Sequence, residues 1–192
     1  MAEKKPDRRA LKTQRQLKDA LAALLAEKEI RHITVQELSD TADVHRVTFY
    51  KHYYDIYDLY EQLENEVMSE LGLLLLAFEE NASEDFSAKL IDYIADNPNV
   101  FKMIFSPHNK SELRHKFSTM VAGIFRVIQA EKSTVEVKDE TLDYYCSYFS
   151  SGCVAIIEKW VLDDFKKSKE FIVDTLCVLD KHMAQFMDEQ LG

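Results

Sequence analysis

Glycine and proline are scarce in this chain of 192 residues, which contains 4 Gly and 3 Pro. Folds built from many strands and tight turns depend on these two residues, so their scarcity argues against a β protein. Apolar residues make up 46% of the chain, and strong helix formers such as Leu, Ala, Glu and Lys are abundant. The composition therefore predicts an all-α protein that is long enough to bury a core.

Long hydrophobic segments are also missing. The longest apolar run, LGLLLLAF at residues 71–78, is much shorter than the roughly 20 residues of a membrane-spanning helix. The opening segment MAEKKPDRRA lacks the apolar core of a signal peptide. We therefore expect a cytoplasmic protein that has no membrane partner.

Cysteine is rare, and the motifs of common enzyme classes are absent. The 3 cysteines lie among apolar residues without CxxC spacing, which favours reduced thiols over a disulfide framework. The sequence has no Gly-rich phosphate loop, no GxSxG or HExxH motif and no Cys/His pair at catalytic spacing. We therefore expect no enzyme activity, no catalytic residues, no bound metal and no cofactor.

Two sensing hypotheses stay open. Cys146 and Cys153 are seven residues apart and would share a helix face, where they would sense oxidants or metals. His108, Glu112 and His115 would share one side of a helix end and bind zinc. The spacing alone decides neither hypothesis.

Charge is distributed unevenly around the net value of −10. Residues 1–60 hold 11 Lys and Arg against 10 Asp and Glu, whereas residues 61–192 hold 13 against 24. Within residues 1–18 the balance is seven basic to two acidic side chains. This basic arm fits the phosphate backbone of a nucleic acid, and its alternative interpretation is a solvated terminus.

The first sixty residues have the spacing of a helix-turn-helix. Leucines with a period close to 3.6 predict one helix over residues 8–30. Thr34 and Glu37 form a capping box for a short second helix, and a tight turn at Asp43 leads to a third helix. Asp is one of the few residues besides Gly that tolerate positive φ at such a turn. The inward side chains of the third helix are expected to be Val44, Val47 and Phe49.

The outward face of this third helix is rich in hydrogen-bond donors. No acidic residue occurs between Val44 and Tyr54, unlike a solvated surface helix, which usually alternates both charges. Cationic, hydroxyl and aromatic tips of this kind reach phosphates and base edges. The sequence therefore predicts that this helix enters a DNA groove. The candidate contacts are Thr34, His45, Arg46, Thr48, Tyr50, Lys51 and His52.

The run ITVQELSDTADVHRVTFYKHYYDIYDLY resembles the DNA-binding domain of TetR-type transcriptional regulators, over about residues 8–62. The resemblance implies an all-α homodimer that binds double-stranded operator DNA, more often as a repressor, under the control of a small-molecule effector. By position, it makes Arg46 and Thr48 the base readers. It makes Thr34, Tyr50 and His52 phosphate contacts.

The chain departs from the family pattern at four positions. Asp43 lies where the family commonly has Gly, Ser39 where it has Ala, His45 where Ser or Thr caps the recognition helix, and Ile56 where many relatives place a Lys. These departures leave the affinity and register on DNA open. A protein-binding helical adaptor or an activator with a degenerate helix-turn-helix therefore remains the alternative function.

The predicted division places the DNA-binding domain at residues 1–54 and an effector-binding and dimerisation domain at residues 55–192. A long connecting helix is expected from Asp55, followed by helices at about 84–96, 98–105 and 111–130. An apolar effector pocket is expected between helices, although the same residues would equally fit a simple core. Its candidate residues are Phe101, Phe105, Phe117, Met120, Tyr144 and Tyr148.

Two final helices, over about residues 141–162 and 170–191, are apolar on more than one side and therefore need a partner. The run YFSSGCVAIIEKWVL resembles the C-terminal signature of a DhaS-like subset of TetR-type regulators common in low-GC Gram-positive bacteria. The two helices and their twofold copies would form a four-helix interface, and the alternative is a monomeric core. The candidate interface residues are Phe149, Gly152, Ile156, Trp160, Phe171, Leu176 and Leu179.

Overall fold

The computed structural model describes residues 8–76, 83–109, 112–132 and 139–191. Every regular element in these ranges is a helix, and the expected all-α class is confirmed. A single 3₁₀ turn, Ile30–His32, lies between the first two α-helices. The α-helices are α1 (Arg8–Glu27), α2 (Val35–Thr41), α3 (Arg46–Phe49), α4 (Ile56–Leu76), α5 (Ser83–Asp96), α6 (Pro98–Phe105), α7 (Leu113–Lys132), α8 (Asp139–Leu162) and α9 (Lys169–Leu191).

The chain packs as two compact units, each of which takes residues from two stretches of sequence. The first unit lies within Met1–Ser69 and Asn99–Ser111, and the second within Glu70–Pro98 and Glu112–Gly192. Nearly all of α6 therefore belongs to the first unit, although its neighbours in the chain, α5 and α7, belong to the second. The predicted functional division after residue 54 stays a prediction.

The core of the first unit forms on the apolar stripe of α1. Leu17, Leu21 and Leu25 recur at intervals of four residues and are at most 1% exposed, as the period of a helix requires. Two ion pairs connect α1 to its neighbours: Lys18 pairs with Glu66 of α4, and Lys28 pairs with Glu37 of α2. These contacts fix the positions of α2 and α4, between which α3 lies in sequence.

The turn after α6 adds polar contacts to the first unit. The hydroxyl of Ser106 donates to the carbonyl of Ala26 at the end of α1, at 2.8 Å. Asn109 accepts from the hydroxyl of Tyr60 at 3.2 Å and donates to the carbonyl of Met103 at 3.1 Å. Satisfied polar groups of this kind fix the turn against α1 and α4.

The second unit is a helical bundle in which α7 packs on α8, and α9 packs on both α5 and α8. The C-terminal end of α8 is closed by a Schellman motif, since the N–H of Phe165 donates to the carbonyl of Trp160 and the N–H of Asp164 to that of Val161. Ion pairs link Arg114 to Glu158 at 2.6 Å, Arg126 to Asp143, and Lys169 to Asp92. No helix in the described ranges is long and apolar enough to cross a membrane.

Candidate nucleic-acid interface and second-unit cavity

The N-terminus of α2 forms as the sequence predicts. Thr34 has extended backbone angles, and its hydroxyl oxygen accepts from the N–H of Glu37 at 3.1 Å. The carboxylate of Glu37 is engaged by Lys28 of α1, so the reciprocal half of a capping box is replaced by an ion pair between helices. Thr34 itself remains exposed at the helix start, where a phosphate contact requires it.

The turn between α2 and α3 uses Asp43 in the left-handed region, with φ of 53°. The N–H of Val44 donates to the carbonyl of Ser39 at 2.9 Å, and the N–H of Asp43 to that of Asp40 at 3.3 Å. This is a Schellman motif with Asp in the position that usually holds Gly. The expected positive φ at Asp43 is confirmed.

The buried side chain of Ser39 lowers the stability of the first unit. Its side chain is 2% exposed, and the hydroxyl oxygen has no hydrogen-bond partner among the described residues. An unsatisfied buried hydroxyl costs about 1–3 kcal/mol. An alanine at this position would avoid that cost.

The recognition helix α3 is only four residues long, and its packing depends on Phe49. The Phe49 ring is fully buried and meets the Tyr50 ring edge-on at 5.3 Å between centroids and the Tyr53 ring at 5.7 Å. His45 caps the helix with extended backbone angles and makes no side-chain cap hydrogen bond. The aromatic anchor, rather than a cap, therefore positions α3.

The expectation that Val47 points inward is wrong, since its side chain is 72% exposed. In one turn of helix only Phe49 reaches the core, while Val44 is half-buried before the helix begins. Val47 therefore joins the outward face, where an apolar side chain fits the methyl group of thymine. The inward assignment failed because a 3.6-residue pattern has little meaning over four residues.

The predicted DNA contacts lie on the surface of the first unit. His45, Arg46, Tyr50 and Lys51 are exposed, while Thr48 and His52 are half-buried. Nη2 of Arg46 donates to the hydroxyl of Tyr50 at 3.3 Å, and the guanidinium carbon lies 5.5 Å from the centre of the Tyr50 ring. The guanidinium is thus held against the Tyr50 ring by a hydrogen bond and a cation–π contact.

Two exposed tyrosines beside this face are absent from the predicted set. Tyr54 and Tyr57 are 85% and 56% exposed, and their hydroxyls are donors of the kind that contact phosphates. Ile56 between them is 6% exposed, so this position packs inward and is not available to a phosphate. The aromatic run YYDIY at residues 53–57 is the sequence feature that indicates these two tyrosines.

The N-terminus of α4 is occupied by the chain's own carboxylates. Asp55 accepts from the N–H of Asp58 at 2.9 Å, and Asp58 accepts from the N–H of Tyr54 at 2.7 Å. The backbone N–H of Tyr54 and then the amide of Gln62 hold the pKa of Asp58 below its ordinary value. Free backbone donors for phosphate are thereby reduced at this helix end.

Tyr53 anchors this region from inside. Its side chain is 2% exposed, and its hydroxyl has no hydrogen-bond partner among the described residues. Burial, and then the negative charges of Glu66 and Asp58, raise the pKa of Tyr53 to about 12. The residue is therefore a neutral core side chain rather than a DNA contact.

The second unit contains a cavity between α5, α7, α8 and α9. Its volume is about 50 Å³. None of the six predicted pocket residues lines this cavity. Phe101 and Phe105 are buried within the residues of the first unit. Phe117 is fully buried, Met120 is half-buried, and Tyr144 and Tyr148 are 73% and 78% exposed. The wall is formed by Phe86, Ser87, Leu90, Val121, Ile124, Phe149, Cys153, Ile157, Leu176 and Asp180.

The predicted interface residues divide by exposure. Gly152 is exposed, and Phe171 and Leu179 are 52% and 43% exposed, whereas Trp160 and Leu176 are at most 6% exposed and belong to the unit's own core. Phe149 and Ile156 are half-buried. Further exposed apolar side chains on α8 and α9 are Tyr144, Tyr148, Leu162, Val178 and Phe186.

The thiols are poorly suited to oxidant sensing. Burial is the first cause that raises the pKa of Cys146, and burial followed by the charge of Asp180 raises that of Cys153 to about 12. Neutral thiols react slowly with oxidants. Within the described ranges, no group of three or more His, Cys, Asp or Glu side chains is placed to hold a metal ion.

The comparisons with known proteins agree with this architecture. Residues 81–181 match the model of the family described as the transcriptional regulator C-terminal region, TetR_C_8. An uncharacterized HTH-type transcriptional regulator of Bacillus subtilis (strain 168), YxbF, is 25% identical over 165 residues, which are 82% of this chain. The matched region spans only 42% of that relative's length.

Solved structures share the fold at low sequence identity. The dihydroxyacetone kinase operon activator DhaS superposes with a TM-score of 0.62 at 20% identity, covering 91% of this chain and 97% of DhaS. A TetR transcriptional regulator from Streptococcus agalactiae 2603V superposes with a TM-score of 0.59 at 19% identity, covering 94% and 96% of the two chains. At these identities the likeness concerns the fold alone.

Proposed function

Because the chain belongs to the TetR family of transcriptional regulators, we propose that it binds a specific operator sequence in double-stranded DNA through α2 and α3. Its action would take place in the cytoplasm, and repression is the expected sign of regulation. The observation that carries the proposal is the exposed guanidinium of Arg46, held over Tyr50 on the outward face of α3.

Each exposed group on this face matches one kind of DNA contact. Arg46 presents a planar fork that fits O6 and N7 of guanine, and Val47 beside it fits a thymine methyl group. The hydroxyl of Thr48 would read a base edge at closer range. Thr34, His45, Tyr50, Lys51 and His52 would contact phosphates, which set the register without reading sequence.

A homodimer would present two such faces to two operator half-sites. The support is the set of exposed apolar side chains on α8 and α9, including Phe171 and Leu179, because a second chain that covers such side chains removes apolar surface from water. A twofold arrangement of these helices would bury them against their copies. The expected mass in solution is that of two chains.

Control by a small-molecule effector is the further part of the proposal. The cavity of the second unit supplies the space, since apolar cavities with a few polar groups are the usual ligand sites. Chain connectivity supplies a link, because α4 begins in the first unit and ends in the second. A ligand that changes the packing of the second unit would thereby bias the first.

The proposal is tested by a gel shift with duplex DNA from around the protein's own gene, repeated over a salt series. Wild type should bind one sequence tightly, with an affinity that falls as salt rises. Arg46→Ala should weaken operator binding by at least about tenfold and relax the sequence preference, since a bidentate guanine contact contributes about 1–3 kcal/mol of discrimination.

The matched control is Arg114→Ala, which removes the same charge from an exposed position of α7 in the second unit. It should bind the operator as wild type does. A folded dimer that fails to bind any DNA at low salt would exclude the proposal and favour the adaptor function.

The sign of regulation needs a separate measurement, because DhaS, which shares the fold, is an operon activator. A reporter gene placed behind the operator should be expressed less in the presence of the protein. Higher expression with the protein present would make it an activator. Both results require the same DNA contacts.

A further inference from the structure

Arg46 has a different kind of partner from other arginines of the described chain. Four of those arginines pair with a carboxylate, as Arg114 does with Glu158 at 2.6 Å. Nη2 of Arg46 instead donates to the hydroxyl of Tyr50 at 3.3 Å. A carboxylate would cancel the positive charge of the guanidinium and compete with DNA for its donors, whereas a hydroxyl orients the guanidinium and leaves the charge in place.

The Tyr50 side chain is itself fixed from the core. Its ring meets the ring of Phe49 edge-on, with 5.3 Å between centroids and 85° between planes, and Phe49 is 0% exposed. The guanidinium carbon of Arg46 lies 5.5 Å from the centre of the Tyr50 ring, which is within the range of a cation–π contact. Orientation therefore passes from buried Phe49 to Tyr50, and from Tyr50 to Arg46 four residues earlier.

The direction of the hydrogen bond leaves both side chains able to contact DNA. A guanidinium carries only donors, so the Tyr50 oxygen must be the acceptor, and the hydrogen of this hydroxyl remains for another acceptor. Tyr50 is 49% exposed, so a phosphate oxygen can reach that hydrogen. Arg46 keeps its other N–H groups, which are enough for two parallel bonds to O6 and N7 of guanine.

We propose that Tyr50 is a positioning residue for base reading. Its ring and hydroxyl oxygen hold the Arg46 guanidinium in the orientation that reads guanine, while its hydroxyl hydrogen donates to a phosphate. A free arginine side chain loses rotamer freedom when it binds a base, and a partner that limits this freedom beforehand reduces the cost. The inference rests on the proposed function and adds that one side chain links the phosphate contact to the base contact.

The link is tested by measuring the affinity of wild type, Arg46→Ala, Tyr50→Phe and the double variant for the operator and for its single base-pair variants. The guanine read by Arg46 is the position whose preference Arg46→Ala abolishes. Tyr50→Phe keeps the ring and removes the hydroxyl, so it should lower the preference for this guanine by about three- to tenfold. Preferences at other positions should stay unchanged, and in the Arg46→Ala background the same substitution should change no base preference.

A phosphate contact alone predicts a different result. Tyr50→Phe would then weaken binding by the same factor on every sequence, and an intact guanine preference of this kind would overturn the inference. Tyr54→Phe is the matched control, because it removes the hydroxyl of a tyrosine that is 85% exposed and lies four residues further along the chain. It should leave the guanine preference unchanged, whatever its effect on overall affinity. An equal loss of preference in both variants would also contradict the assignment to Tyr50.

The contact itself is tested without DNA, by nitrogen-15 relaxation of the Nε–H group of Arg46, which reports motion on the picosecond to nanosecond scale. Tyr50→Phe should lower the order parameter of this group, and Tyr50→Leu, which also removes the ring, should lower it further. The Nε–H group of Arg114 should not change in either variant. An Arg46 order parameter that is the same in all three proteins would overturn the positioning role.

Failure of this inference is distinguishable from failure of the proposed function. Operator binding whose guanine preference survives Tyr50→Phe would remove the positioning role and leave the DNA-binding proposal intact. Absence of operator binding by wild type, with an Arg46 order parameter that depends on Tyr50, would remove the proposed function and the base-reading role with it, and leave only a contact between two side chains.

Discussion

The two units place the polar groups of their candidate sites in opposite environments. In the first unit, Arg46 and Tyr50 are exposed neighbours on one short helix. In the second, Asp180 is 8% exposed and shares a cavity wall with residues from three other helices. A surface site is thus assembled by local sequence, whereas an interior site is assembled only by tertiary packing.

The difference extends to what holds each site in place. A helix of four residues such as α3 has no stability of its own, so its orientation depends on the buried ring of Phe49 and on the Schellman motif at Asp43. The helices around the cavity are 14 to 24 residues long and gain stability along their whole length. The first site should therefore be more sensitive to single substitutions than the second.

The largest expected effect compares one fully buried phenylalanine from each unit. Phe49→Ala and Phe117→Ala each remove a ring that is 0% exposed, and each should lower the free energy of unfolding by about 3–5 kcal/mol. Only Phe49→Ala should abolish operator binding under conditions in which the protein remains folded. Urea denaturation gives the stability, and gel shifts give the binding.

Hydrogen exchange provides the sharper measurement for this pair. Phe49→Ala should reduce amide protection in α1, α2 and α4, and Phe117→Ala in α7 and α8. Loss of protection throughout the described chain in both variants would show that the two units unfold as one, and the contrast between them would then be limited to their sites.

The sequence predicted the first unit well because its features are local. The cap at Thr34, the positive φ at Asp43 and the exposed donors of α3 each depend on a few adjacent residues. Val47 was assigned to the wrong face because the period of a helix cannot be read from a single turn.

The residues that line the cavity could not be predicted from the sequence. Phe101 and Phe105 were candidate pocket residues, but α6 packs into the first unit, which depends on contacts distant in sequence. Asp180 lies in the sequence CVLDKHM, where it resembles any surface carboxylate of a helix. Its burial follows only from the packing of α9 on α5 and α8.

The next effect in size concerns Tyr53, whose pKa is raised from 10.0 to about 12. The folded state holds this proton more tightly than the unfolded state, so its contribution to stability is complete below about pH 10 and is lost as the pH rises toward 12. For this one proton, the free energy of unfolding falls by at most about 1.4 kcal/mol per pH unit. Cys153 in the second unit titrates with the same sign, so the effect of Tyr53 must be isolated by a variant.

Tyr53→Phe removes this titration and also the cost of burying a hydroxyl that has no hydrogen-bond partner among the described residues. The variant should therefore be more stable than wild type by about 1–3 kcal/mol at pH 8, and the difference should grow above pH 10. Tyr54→Phe, at a position 85% exposed, should show no such shift. A pH-independent difference for Tyr53→Phe would mean that the hydroxyl is hydrated in the folded protein.

The smallest effect compares two turns with the same geometry, one in each unit. Asp43 and Asp164 both have positive φ, 53° and 59°, and both follow a helix end closed by a Schellman motif. Glycine adopts this conformation without a Cβ penalty but loses more backbone entropy on folding, so each Asp→Gly variant should gain at most about 1 kcal/mol in unfolding free energy.

Only Asp43 lies beside the candidate DNA face, so the two variants should differ in operator binding although they agree in stability. Asp43→Gly removes a negative charge near the phosphates and should bind more tightly, whereas Asp164→Gly should bind as wild type does. Asp43→Asn separates the two causes, because it removes the charge but keeps a side chain at positive φ. It should match Asp43→Gly in affinity and wild type in stability, and weaker operator binding by either Asp43 variant would show that this carboxylate supports α3 directly.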